Sequence, residues 1–278
     1  MIHAGTLNRR KIATLVLLLI LSILTLVPFY FMLSTSFKTM DAYLAEKLLP
    51  PARPTLENYA TIFNKFSLGS YFINNFIILA GTLVPYILIC SAAGFAFAQL
   101  RFPLQIPLLL MVSGIMIFPQ MVLGVPLYAL LAKFKMINSH IGLIFCYLAY
   151  FTPYAAYLMT TYYRNIPGTF MEAAKIDGAN LWQVFTRVML PMAKTMIVTV
   201  IIVGSQAIWN ELPFALLFLR SEKKRTLMTA VALLKGEQGV AAIKLCAALT
   251  SVTLPILLLY IVAQNQIQQG ILAGGIKE

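Results

Sequence analysis

The chain has 278 residues, of which 60% are hydrophobic and only 11% charged, with a formal net charge of +12 and a mean hydropathy of +0.84. Soluble domains run nearer half apolar and about a quarter charged, so the composition excludes an ordinary soluble domain and points to an integral membrane protein. The positive charge would suggest nucleic acid in a soluble chain, but these basic residues lie mostly between apolar runs, where membrane flanks account for them.

Six apolar runs, at residues 12–33, 71–98, 107–131, 141–163, 196–219 and 245–263, reach the roughly 20 residues a helix needs to cross a hydrocarbon core of about 30 Å. Helices are expected because they satisfy their backbone groups internally, and no alternating pattern of a membrane barrel is present. The first run follows Arg9-Arg10-Lys11. It is too long for a signal-peptide core and no small-x-small cleavage site follows, so it reads as a retained span with a cytoplasmic N-terminus. Residues 34–70 form a polar outer connection containing Pro50, Pro51 and Pro54. In the second run Ala92 with Ala96 and Gly94 with Ala98 are four apart, a spacing that lets helices approach closely in lipid. The chain thus divides into a first span with its connection (1–70), a membrane unit (71–264) and a cytoplasmic tail (265–278). This topology puts nine Lys/Arg inside and twelve outside, six of them from Arg220 to Lys244. Charge alone therefore runs against the positive-inside bias, and orientation rests on the first span and on the loop around Glu172.

That loop, between the fourth and fifth runs, reads as two short helices. Thr169 and Glu172 have capping-box spacing, Gly178 suits a left-handed stop, Asn180 with Gln183 repeats the start signal, and Pro191 prevents simple continuation. Leu181, Val184, Phe185 and Val188 share one face by helical periodicity. A capped helix pair with an apolar stripe outside the membrane is a shape for docking.

Enzyme signatures are missing. His3 and His140 have no partner at metal-ligand spacing, and Cys90, Cys146 and Cys246 read as packing residues. There is no glycine-rich phosphate loop and no nucleophile elbow. Polar residues at membrane depth are the other candidates: Gln206, Trp209, Asn210 and Glu211 in the fifth run, Asn74 and Asn75 in the second, Gln120 in the third, and Tyr147, Tyr150 and Thr152 in the fourth. Gln206 and Asn210 share a helical face. Glu211 is either a pathway group or a helix-end group. Hydroxyls and amides among aromatic rings suit a sugar.

The segment Glu172-Ala173-Ala174-Lys175-Ile176-Asp177-Gly178-Ala179-Asn180, ending at Leu190-Pro191, resembles the EAA motif of membrane subunits in binding-protein-dependent ABC importers. Phe37-Lys38, Asn58-Tyr59, Pro119-Gln120, Trp209-Asn210-Glu211 and the terminal Gly274-Gly275-Ile276-Lys277 resemble the carbohydrate branch, the maltose-type inner permease in particular. The resemblance implies an all-α membrane fold of six transmembrane helices, the type I importer permease fold, with a cytoplasmic coupling loop. It implies that Glu172, Ala173, Ala174, Asp177, Gly178, Leu190 and Pro191 engage an ATPase.

The same resemblance implies a second, related permease, two ATPase subunits, an external solute-binding protein and a carbohydrate substrate. Mg-ATP would be held on the ATPase and no cofactor or metal by this chain. Import would proceed by alternating access. One departure is Thr195, where the family commonly has proline after Leu-Pro-x-x-Lys, so a straighter lead into the fifth span is expected. Glu222-Lys223-Lys224-Arg225 is either a solvated loop or a contact for an acidic partner or anionic solute. An importer for a phosphorylated polyol is the nearest alternative, and a stand-alone channel or carrier lacks the paired membrane acids and inverted repeat it would need.

Overall fold

The computed structural model describes residues 9–234 and 242–275, so His3, Lys235 and Lys277 lie outside the described residues. Every element among them is helical. They are α1 (Arg9–Ser36), α2 (Met40–Ala45), α3 (Glu57–Asn64), α4 (Leu68–Gln99), α5 (Gln105–Gly114), α6 (Gln120–Lys133) and α7 (His140–Arg164). Then come α8 (Thr169–Ile176), α9 (Leu181–Met192), α10 (Lys194–Trp209), α11 (Pro213–Phe218), α12 (Leu227–Leu234) and α13 (Ala242–Gly275). Among the described residues, four helices are long and apolar enough to cross a membrane, Lys11–Ser36, Leu68–Gln99, His140–Arg164 and Ala242–Gln264, and two bent pairs bring the number to six if each pair is one span.

The breaks differ from the uniform spans expected. The third run is two helices joined through a 3-10 turn at Ile115–Ile117 and bent by 105°. Phe118 is extended (φ −78°, ψ 123°) because Pro119 disfavours a helical residue before it and brings no amide of its own. The fifth run stops early: α10 ends at Trp209 and residues 213–218 form a separate helix. Its lead is not straight, because α9 and α10 meet at 75° even with Thr195 in place of proline. The bend lies at Ala193 (φ −85°, ψ 7°), whose amide closes onto the Met189 and Leu190 carbonyls. The tail expected after residue 264 continues as helix to Gly275.

Packing divides the chain into two compact units, one built on residues up to Leu68 with the stretch Leu233–Thr253, the other on Gly69–Ala232 with residues from Leu254 on. In the first unit α1 shows its apolar side chains outward along its length, Leu24 to 62%. The polar connection that follows is folded, not loose. Lys38, only 1% exposed, donates Nζ to the carbonyls of Glu46 and Lys47 at 2.8 and 2.9 Å. Asn58 Nδ2 donates to the carbonyls of Ser36 and Lys38, Ser36 and Tyr59 hydroxyls meet at 2.7 Å, and the Phe37 and Tyr59 rings lie 5.3 Å apart. Buried carbonyls need such donors, so the two dipeptides singled out in the sequence form one knot.

In the second unit the packing of α4 on α7 is tight. A side chain at Gly94 would overlap Met159, and one at Gly81 would lie 2.7 Å from Ile144. Ala98 packs on the same core while Ala92 faces out. One buried cluster joins Tyr86, Cys90 and Phe95 of α4 to Met159 and Tyr163 of α7, Val184, Phe185 and Met189 of α9, and Met196 and Val200 of α10. A second joins Ile78, Leu143, Tyr147, Ile208, Phe214 and Phe218. Lipid tails are as apolar as these side chains, so within the spans the gain comes from close van der Waals packing and not from removal from water.

Candidate functional site

The loop at 169–192 has the two-helix form expected, with one difference in how it starts. Gly168 precedes α8 in helical geometry (φ −61°, ψ −20°), so Thr169 is already inside the helix and no side chain caps it. A cap residue needs extended backbone for its hydroxyl to reach an amide two or three residues on, and the Thr169–Glu172 box does not form. The end of α8 is closed by Gly178 at φ +81°. The Gly178 amide donates to the Lys175 carbonyl at 3.0 Å and the Ala179 amide to the Ala174 carbonyl at 2.9 Å, the paired bonds of a Schellman stop. Asn180 then opens α9 with a complete capping box: its Oδ1 accepts the Gln183 amide at 2.9 Å while Gln183 Oε1 accepts the Asn180 amide at 2.8 Å.

Inside α9, Val184–Met189 is wound as a π-helix, with the Leu190 amide donating to the Phe185 carbonyl. The wider turn moves the buried face to Val184, Phe185 and Met189, whereas Leu181 is 47% exposed and Val188 half-buried. The loop therefore has two sides. Ala174, Ala179 and Leu190 pack on the cluster that reaches Tyr86. Glu172, Ala173, Asp177, Gly178 and Pro191 are exposed, together with the apolar Phe170, Ile176 and Trp182 at 47, 86 and 69%. Gln99 Nε2 donates to the Tyr163 carbonyl at 2.6 Å and Tyr162 donates to the Met192 carbonyl at 3.2 Å, fixing the loop's base.

The polar candidates fall into separate places. Glu211, 5% exposed, sits at the break after α10 and accepts four donors. Gln120 Nε2 and the Phe214 amide reach Oε1 at 2.6 Å each, and the Tyr147 hydroxyl and the Ala215 amide reach Oε2 at 2.5 and 3.0 Å. Its carboxylate thus caps α11 and ties α6 and α7 to it, which is a helix-end role. Trp209 is 1% exposed, its ring 5.3 Å from that of Phe76. Gln206 and Asn210 are exposed, with Asn210 Nδ2 on the Gln206 carbonyl. Asn75 is buried and its Nδ2 finds no partner among the described residues. The basic cluster lies in an exposed loop, Glu222, Lys223 and Lys224 all being exposed, whose backbone is held in place: Asn74 Nδ2 donates to the Lys223 and Arg225 carbonyls, Lys224 Nζ donates to the Asn138 carbonyl at 2.7 Å, and nearby Arg220 reaches the Tyr128 hydroxyl.

A cleft of about 230 Å³ opens elsewhere, lined by Tyr86, Met116, Tyr150, Phe151, Tyr154, Val203, Gly204 and Ala207. Tyr150 was among the candidates; the other seven were not. Tyr150 and Tyr154 are four apart on α7, a spacing that shows a shared face. Tyr86 and Gly204 meet only through tertiary packing. No group of three His, Cys, Asp or Glu side chains comes together among the described residues.

A match over residues 91–273 to the family "Binding-protein-dependent transport system inner membrane component" decides the class. The chain belongs to that family. As such a transport component it is a multi-pass membrane permease and not an enzyme, of a class that works with an ATPase and a solute-binding protein. It is 31% identical to the melibiose/raffinose/stachyose import permease protein MelC of Bacillus subtilis (strain 168), over 90% of this chain and 91% of that one. It is 30% identical to the diacetylchitobiose uptake system permease protein NgcG of Streptomyces coelicolor, over 93% and 86% respectively. Its fold is that of a chain in the crystal structure of a bacterial ABC transporter involved in the import of the acidic polysaccharide alginate, with a TM-score of 0.84, 19% identity, and 95% and 99% of the two chains covered.

Proposed function

We propose that this permease carries a sugar or oligosaccharide inward in an ATP-driven importer, and that the α8–α9 loop is where one of two separate ATPase subunits grips it. The observation that carries this reading is the loop's two-sidedness. Phe170, Ile176 and Trp182 stand exposed on a pair of capped helices whose other side is buried in the core. An apolar patch held this rigidly suits a partner cleft, and a rigid body passes on displacement that a soft loop would absorb. The carbohydrate class is supported by the relatives named for oligosaccharide import.

On this reading residues 71–264 form the transport domain, the N- and C-termini lie in the cytoplasm, a related permease forms the other half, and an external binding protein delivers solute. Mg-ATP belongs to the ATPases. ATP binding draws the two coupling loops together and alternates access to the pathway, each state being favoured by the contacts it makes. The test is reconstitution in proteoliposomes with partner permease, ATPases and binding protein. Sugar uptake that requires ATP is expected, and Phe170→Ala with Trp182→Ala should release the ATPase while leaving the permease in the membrane. Undiminished ATPase association in that double variant would refute the docking role.

A further inference from the structure

The connection after α1 returns to the membrane it has just left. α1 runs to Ser36, yet the Tyr30 hydroxyl donates to the Leu48 carbonyl at 3.0 Å, which brings residue 48 alongside the last turns of the helix. Tyr30 lies six residues before that end, about 9 Å down the axis at roughly 1.5 Å per residue. Counted from the cations Arg9, Arg10 and Lys11, the roughly 20 helical residues that cross a hydrocarbon core end near Phe31. Tyr30 therefore stands where acyl chains give way to headgroups, the depth at which tyrosines concentrate.

The side chains delivered to that depth are apolar. Leu44, Leu48 and Leu49 are 63, 65 and 63% exposed. They continue the surface of α1, whose own apolar side chains point outward beside them. Lys47 Nζ lies 6.0 Å from the centre of the Tyr43 ring, an amphipathic ring and a long cation that together suit the headgroup layer.

The backbone is prepared for a dry neighbour. Three consecutive carbonyls in this irregular stretch each take a side-chain donor: Lys38 Nζ reaches those of Glu46 and Lys47, and Tyr30 reaches that of Leu48. The Leu48 amide donates to Glu46 Oε1 at 3.1 Å. A loop lying in water leaves such groups to the solvent, whereas beside hydrocarbon each needs a partner from the chain itself. The same contacts account for Lys38, a cation buried within a polar connection.

We propose that residues 44–49 form a foot in the membrane interface: Leu44, Leu48 and Leu49 enter the acyl region of the leaflet in which α1 ends, and Lys38 and Tyr30 clasp the chain in that pose. The inference rests on α1 as a span and is independent of the solute carried. The permease, assembled with its partner permease and ATPases, is reconstituted in vesicles of phosphatidylcholine and phosphatidylglycerol. Cys246→Ala leaves only the buried Cys90 and Cys146, so bimane can be placed on Leu48→Cys or, separately, Leu49→Cys. Both labels should be quenched by lipid carrying a nitroxide near the carboxyl end of an acyl chain, and little by aqueous iodide. Adding Tyr30→Phe should raise iodide quenching at position 49 by roughly threefold to tenfold, the shift expected for one lost hydrogen bond. Strong iodide quenching at both positions in the parent would place the foot in water and overturn the proposal. Protection from both quenchers would overturn it too, showing a protein surface over the leucines. Iodide quenching unmoved by Tyr30→Phe would overturn the clasp.

Discussion

The hydroxyl of Tyr147 donates to the carboxylate of Glu211 at 2.5 Å, joining α7 to the first turn of α11 across a buried interface. The same two oxygens hold Gln120 and the amides of Phe214 and Ala215. Replacing Glu211 with Ala strands three buried donors, on Tyr147, Phe214 and Ala215, each costing about 1–3 kcal/mol, and frees the half-buried Gln120. We expect Glu211→Ala to lower the melting temperature and membrane yield of the purified permease far more than Tyr147→Phe, which removes one donor. Thermal unfolding monitored by fluorescence checks this; equal stability of both variants with the parent would contradict the capping role.

Gly178 gives a second expectation. At φ +81° any L side chain is strained by roughly 1–2 kcal/mol, although open space surrounds the position. Gly178→Asp should therefore loosen the α8–α9 junction without a steric clash. The permease should reach the membrane normally while ATP hydrolysis proceeds with reduced uptake. Glu172→Lys, which reverses charge on the exposed side of α8, should act in the same direction. Both are read by comparing hydrolysis with uptake in proteoliposomes, and tight coupling in both would sink the idea.

Neighbouring aromatics in α9 should behave oppositely. Trp182 is 69% exposed and Phe185 8%. Phe185→Ala opens a cavity among Val184, Met189 and Phe95 and should cost about 3–5 kcal/mol of stability. Trp182→Ala should leave thermal stability close to the parent and weaken ATPase association. Pull-down of the ATPase beside a melting curve separates the two, and a large destabilisation by Trp182→Ala would count against an outward-facing contact.

The knot after α1 supplies a fourth case. Asn58→Leu removes the donor to the Ser36 and Lys38 carbonyls at a site 4% exposed. A loss of about 1–3 kcal/mol is expected. It should appear as faster proteolysis within residues 37–56, measured by limited digestion and mass spectrometry. An unaltered digestion pattern would show that the knot contributes little.

How far the fold was legible follows from where the information is local. Run length places helix ends well: residues 71–98 were expected and α4 covers Leu68–Gln99. Gly178 and the Asn180–Gln183 box were also readable, because both act within one turn of chain. Hydropathy averages over a window, so the breaks at Pro119 and after Trp209 were hidden inside apolar runs. The second depends on Glu211 finding donors on three helices, which no single segment encodes. Thr169 failed as a cap because Pro167-Gly168 delivers the chain already helical. The cleft was mostly invisible for a related reason: Tyr86 and Gly204 look like an ordinary aromatic and an ordinary small residue until α4 and α10 are laid together.

The π turn in α9 carries a surplus residue, closed by the Leu190 amide on the Phe185 carbonyl. An α-helix advances about 100° per residue, so one residue more or fewer changes the aim of everything upstream of it without much altering its reach. Deleting Thr186 would hardly shorten the loop, yet it would turn Trp182 and Leu181 a quarter of the way around the axis. The turn is in effect a vernier, and it sets the azimuth of the surface that α9 presents.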